Sequence, residues 1–162
     1  MKELFEFVFS GSGIALLGGT LAAAFAGLGS AKGVGKAGCV AAGVMSEKPE
    51  LYGKLLILQA LPGTQGIYGL LVWFFVMIKG GFFSGGAELT LVQGILIFAS
   101  CIPMMIVGYG SAINQGNVAA DGVLMVAKQP DEQTKPLIMA AMVETFAILA
   151  LLVSILGILL AA

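Results

Sequence analysis

In 162 residues the chain carries 59% hydrophobic side chains and only 10% charged ones, with a mean hydropathy of +1.02. Too few polar groups remain to cover a water-soluble domain, so the composition predicts an all-α membrane protein. A formal charge of -1 offers no basic field for nucleic acid, and the lack of arginine and histidine excludes imidazole metal sites and histidine proton relays.

Residues 1–6 lead into the first apolar stretch without a basic leader or an evident cleavage site, so no removable signal peptide is expected. That stretch covers about residues 8–45. Its Gly18, Gly19, Ala22, Gly27, Gly29, Ser30, Gly33 and Gly35 leave little bulk on several faces, which predicts a helix on the crowded inside of a bundle. Gly33-Val-Gly35-Lys-Ala-Gly38 matches a dinucleotide-binding fingerprint letter for letter, yet no strand precedes it and no Walker motif is completed. No nucleotide site is expected in this chain.

A polar link at 46–50, marked by Pro49, leads to a second apolar segment at about 51–79. Within it, Leu61-Pro-Gly-Thr-Gln-Gly-Ile-Tyr68 places three hydrogen-bonding side chains and a helix-disturbing proline in apolar sequence. Thr64 and Tyr68 share a helical face, and Pro62 leaves backbone carbonyls near Leu61 freer to accept other partners. The third segment, about 88–126, contributes Asn114 and Gln115; its Glu88 and Asp121 read as solvated acids at the interfaces. After a second link at 128–135, marked by Pro130, the fourth segment at 136–162 holds a single charge, Glu144. All four segments are long enough to cross about 30 Å of hydrocarbon at roughly 1.5 Å per residue. Trp73, Phe74, Phe75 and the Leu/Ile-rich tail read as lipid-facing or subunit-facing surface. Cys39 and Cys101 lack metal or disulfide spacing and read as small packing residues.

Shifted by 81 residues, half its length, the chain aligns with itself. Gly27-x-Gly29-Ser30-Ala31 falls on Gly108-x-Gly110-Ser111-Ala112, Gly35 on Gly116, Pro49-Glu50 on Pro130-Asp131, and Leu70-Leu-Val72 on Leu151-Leu-Val153. A gapless offset from first helix to last marks two tandem hairpins, residues 1–81 and 82–162. Each hairpin returns the chain to the side it started from, so the repeat is parallel, and a parallel repeat lends itself to tandem packing around a ring. Lys32, Lys36, Lys48, Lys54, Lys128 and Lys135 lie on the side of the two links, against Lys2 and Lys79 on the other. The lysine excess predicts that both links face the cytoplasm and both termini the outside.

The repeats differ where chemistry is expected. Glu144 falls on Gly63, so only the second hairpin carries a carboxylate in its span. An ionised carboxylate in hydrocarbon costs several kcal/mol or more unless it is protonated, ion-paired or holding a cation. Carboxylate oxygen from Glu144, amide oxygens from Gln65 and Gln115, the Thr64 hydroxyl and a carbonyl near Leu61 together form an oxygen cage with one formal charge. Hard cations take oxygen ligands, and one charge matches a monovalent ion, which points to sodium. The alternative is that Gln65, Gln115 and Thr64 only join neighbouring helices by hydrogen bonds.

The tandem Gly-x-Gly-Ser-Ala helices, Leu61-Pro-Gly-Thr-Gln-Gly-Ile-Tyr-Gly69 and Met142-Val-Glu-Thr145 resemble the 16 kDa proteolipid of V-type ATPases, which builds the membrane rotor ring, over essentially the whole chain. The likeness is greatest to the bacterial sodium-transporting form. It implies Na+ ligands at Leu61, Thr64, Gln65, Gln115 and Glu144, with Tyr68 hydrogen-bonding the carboxylate. It also implies a homo-oligomeric closed ring in the cell membrane, a stator subunit with a basic residue, and central-stalk subunits at the cytoplasmic links. ATP hydrolysis is then left to other subunits, with no catalytic residue in this chain. A proton-translocating relative using H+ alone, a small four-helix proton-coupled exporter and a purely structural proteolipid are the competing readings; the internal duplication argues against the exporter.

Overall fold

A computed structural model describes residues 6–85 and 88–161. Residues 1–5 and 162, on which the expectations about a signal peptide and the placing of the termini rest, lie outside the described residues. Among the described residues, four helical spans are long and apolar enough to cross a membrane: Gly11–Met45, Pro49–Lys79, Leu91–Lys128 and Pro130–Leu160. Hydrocarbon offers no partner for backbone N–H and C=O groups, so helices that satisfy their own backbone are the form such segments must take. The protein is a multi-pass membrane protein built from α1 (Gly11–Met45), α2 (Tyr52–Ala60), α3 (Thr64–Lys79), α4 (Leu91–Lys128) and α5 (Thr134–Leu160).

Helix starts follow from local chemistry. Ser10 caps α1 by accepting from the Gly13 amide at 3.1 Å, and Thr90 with Gln93 forms a capping box that starts α4 three residues beyond the expected 88. Pro49 and Pro130 open short 3-10 turns ahead of α2 and α5, so helical structure extends upstream of the apolar runs that announced it. A third 3-10 turn, Leu61–Gly63, separates α2 from α3 inside the second span.

Hydrogen bonds between the hairpins give the repeat its physical form. Lys48 Nζ donates to the Ala127 carbonyl at 2.6 Å and Lys54 Nζ to the Pro130 carbonyl at 2.7 Å, so both links lie at one end of the bundle. Lys79 Nζ meets the Leu159 carbonyl at the opposite end. Lys32 and Lys36 sit within α1, where they donate to Tyr109 Oη at 2.7 Å and Asn117 Oδ1 at 2.6 Å.

The small-residue helix is on the inside, as its composition requires. α1 and α4 pack backbone to backbone: a Cβ on Gly29 would stand 2.7 Å from the Tyr109 Cα, and one on Gly116 would overlap Gly33. α3 lies against α1 and α5 against α4, with α3 also touching α4 and α5. The Leu/Ile-rich face of α5 is exposed, but of Trp73, Phe74 and Phe75 only Phe74 is; Phe75 packs against the buried cluster around Val72 and Val76. Cys101 is buried as expected, whereas Cys39 is exposed on α1.

Candidate ion-binding site

Glu144 lies ten residues into α5 and sixteen before its end, about 15 Å and about 24 Å along the axis, well inside a hydrocarbon layer. It is half-buried between α3 and α4. Tyr68 Oη donates to its Oε1 at 2.6 Å, and Gln115 Nε2 to its Oε2 at 3.2 Å. Hydrogen bonds to an ionised acceptor are among the stronger ones, so these two donors fix where the carboxylate points.

A continuous polar chain runs from there into the second span. Gln115 Nε2 also donates to the Ala140 carbonyl at 3.1 Å, while its Oε1 accepts from Gln65 Nε2 at 2.6 Å. Both glutamines are fully buried. Gln65 Oε1 lies 3.4 Å from Thr64 Oγ1, which donates at 3.0 Å to the Leu61 carbonyl. All six residues singled out from sequence thus meet: Leu61, Thr64, Gln65, Gln115, Glu144 and Tyr68 form one hydrogen-bonded path across three spans. Among the described residues no buried side-chain nitrogen or oxygen lacks a partner, which is the condition for burying so much polarity in an apolar bundle.

The 3-10 turn supplies the local geometry. Pro62 has no N–H to continue the α-helical ladder, and the turn tightens so that the Thr64 amide bonds the Leu61 carbonyl. That carbonyl, expected to be freer to accept other partners, accepts from both the amide and the hydroxyl of Thr64. The Gln115 amide presents its nitrogen to Glu144, so offering its oxygen to a cation requires the amide to turn over.

Ser111 was missed in the sequence-based site. It accepts from Gln65 Nε2 at 3.2 Å and donates to the Val143 carbonyl at 3.0 Å, bracing Gln65 from α4. Its repeat twin Ser30 accepts from the Gly66 amide at 2.8 Å, so the serines of the two Gly-x-Gly-Ser-Ala motifs tie each inner helix to its outer partner. A hydroxyl recurring at one register of an apolar repeat was the available signal. Asp121 and Glu88 are exposed and apart from this network. No cluster of three or more His, Cys, Asp or Glu exists among the described residues, so the oxygens gathered here carry one acid only.

The sequence profile of the family described as the C subunit of ATP synthase matches residues 17–76 and again residues 98–157. The chain belongs to this ATP synthase family. The second match starts at 98 where the first starts at 17 and ends at 157 where the first ends at 76, so this family member carries two copies of the family's hairpin at the 81-residue offset read from the sequence. Among family relatives, the V-type sodium ATPase subunit K of Enterococcus hirae is 44% identical over 142 residues, 88% of each chain. The A-type ATP synthase subunit K of Methanocaldococcus jannaschii is 40% identical over 146 residues, 88% of this chain and 61% of that one.

Proposed function

We propose that this chain is the ion-carrying rotor subunit of the membrane sector of a rotary V-type ATPase, with Na+ as its cargo. The observation that carries the proposal is the unbroken path of oxygen-bearing groups ending on a mid-membrane carboxylate. A proton carrier needs only the acid, since protonation removes the cost of burying it. Two fully buried glutamines, a threonine and a tyrosine joined to that acid are the equipment of a coordination cage. The likeness to a relative named as a sodium ATPase subunit points the same way.

Copies of the chain close into a homo-oligomeric ring, with one cargo site per four-span protomer. Leu61, Thr64, Gln65, Gln115 and Glu144 hold the ion and Tyr68 orients the carboxylate. An occupied site is neutral overall and crosses the lipid-facing arc of the rotation at little electrostatic cost. At the stator, a basic side chain competes for Glu144 and releases the ion into an aqueous half-channel. Gly63 in place of a first-hairpin acid halves the ions carried per pair of hairpins, which favours pumping against a steep gradient. The links at 46–50 and 128–135 face the cytoplasm and dock the central stalk, with both termini outside, on the lysine bias.

Labelling with a hydrophobic carbodiimide tests the cargo. Modification at Glu144 that falls as sodium rises, at fixed pH, is the expected result. Modification that responds to pH and ignores sodium assigns the cargo to H+ alone, and no modification at all leaves only a structural role.

A further inference from the structure

Hydrogens and lone pairs along the buried path decide which way each group in it must face. A backbone carbonyl oxygen can only accept, a hydroxyl has one hydrogen to give, and a primary amide gives two from its nitrogen and none from its oxygen. Ser111 is buried, and its hydroxyl donates to the Val143 carbonyl at 3.0 Å. Its one hydrogen is thereby spent, so only lone pairs remain for whatever stands on its other side. The fully buried Gln65 side chain stands there, and it answers with Nε2 at 3.2 Å.

The second hydrogen of Gln65 Nε2 goes to Gln115 Oε1 at 2.6 Å. With its nitrogen committed to α4, the Gln65 amide turns Oε1 the other way, toward Thr64 Oγ1. The single Thr64 hydrogen lies with the Leu61 carbonyl at 3.0 Å, while the 3.4 Å to Gln65 Oε1 exceeds the usual O–H···O range of about 2.5–3.0 Å. Gln65 Oε1 and Thr64 Oγ1 are therefore neighbouring acceptors with no well-placed hydrogen between them, an arrangement that a hard cation completes.

Ser111 and Gln115 hold Gln65 unequally. Gln115 offers its oxygen to a cation beside Glu144 only by turning its amide over, which withdraws that oxygen from Gln65. Ser111 lacks this freedom, because its hydrogen is fixed on backbone one residue before Glu144. Its twin Ser30 does different work: it accepts from the Gly66 backbone amide, and Pro62 stands at the register of Val143.

We propose that Ser111 is a positioning residue for the ion site: it relays the fixed polarity of the Val143 carbonyl to the Gln65 amide and so holds Gln65 Oε1 beside Thr64 Oγ1 for the cargo. The proposal rests on the sodium reading above and adds what sets the sense of the cage. Ser111 acts through Gln65 and does not itself touch the ion.

Carbodiimide labelling of the assembled protein separates this role from simple bracing of α5. It reads two quantities, the sodium concentration that half-protects Glu144 and the pH profile of labelling in sodium-free buffer. Ser111→Ala removes the relay and leaves every proposed ligand in place. The half-protecting sodium concentration is expected to rise about threefold to tenfold, the effect of losing one neutral hydrogen bond, with the sodium-free pH profile unchanged. Ser111→Cys keeps the volume but offers only a weak donor and a weak acceptor, and it is expected to match Ser111→Ala. An unchanged sodium requirement in Ser111→Ala overturns the proposal. A pH profile that moves with the sodium requirement, or a ring that no longer forms, also overturns it, since either makes Ser111 a brace of α5 alone. A wild-type value in Ser111→Cys beside a weakened Ser111→Ala assigns the effect to volume and overturns it too. Wild-type labelling that ignores sodium sinks the cargo reading itself, whereas sodium-protected wild type beside an indifferent Ser111→Ala removes only the positioning role.

Discussion

Glu144→Gln is expected to abolish sodium binding while leaving the protein folded and assembled. The substitution is close to isosteric, and its amide can keep both contacts in altered form, the oxygen accepting from one donor and the nitrogen donating to Tyr68 Oη, which lies 2.6 Å from the native carboxylate. Lost is the single negative charge. At about 4 kcal/mol for a pair of unit charges near 4 Å in a protein-like dielectric, removing it lowers affinity by roughly a thousandfold. Carbodiimide labelling disappears with the carboxyl itself, so binding is read instead by equilibrium uptake of radioactive sodium on the purified assembly. Saturable sodium binding by the variant at ordinary concentrations would remove Glu144 from the site.

Gln115→Ala is expected to weaken sodium binding by about 10-fold to 100-fold, the range that follows from losing hydrogen-bonding groups next to a charge at roughly 1.5–3 kcal/mol. Gln115 joins the two halves of the network: it donates to Glu144 and to the Ala140 carbonyl, and accepts from Gln65. Alanine leaves the carboxylate with Tyr68 alone and strands part of the Gln65 amide. Gln65→Ala is expected to act in the same direction and less strongly, because Gln65 touches Glu144 only through Gln115 and Ser111 keeps its other contact to the Val143 carbonyl. Neither side chain contributes to the α1–α4 backbone packing, so assembly is retained. The sodium concentration that half-protects Glu144 from carbodiimide measures both; unchanged values in the two variants refute the ligand roles.

Much of this molecule could be read from its sequence because lipid removes choices. Long apolar runs between proline-marked links have one stable form in hydrocarbon, so the four spans were legible to within a few residues, and the 81-residue offset reappears in the paired family matches. Glu144 stood out because a charge there is costly wherever the helix faces. Its partners were harder to read. Gln65 and Gln115 lie fifty residues apart, and only the rotation of three helices about their axes brings them to 2.6 Å, a property that composition does not carry. The same rotation half-buries Phe75 beside exposed Phe74 and exposes Cys39 while burying Cys101. Ser111 was overlooked because a serine in a glycine-rich repeat also serves close packing, and its bonds to Gln65 and Val143 emerge only when α3, α4 and α5 are in place.

ATP-driven uptake of radioactive sodium by the whole complex reconstituted in sealed vesicles tests the cargo most directly. Accumulation that persists with a protonophore present, and vanishes in the Glu144→Gln complex, is the predicted result. Acidification of the vesicle lumen without sodium accumulation, at sodium concentrations that leave ATP hydrolysis unaffected, would contradict it.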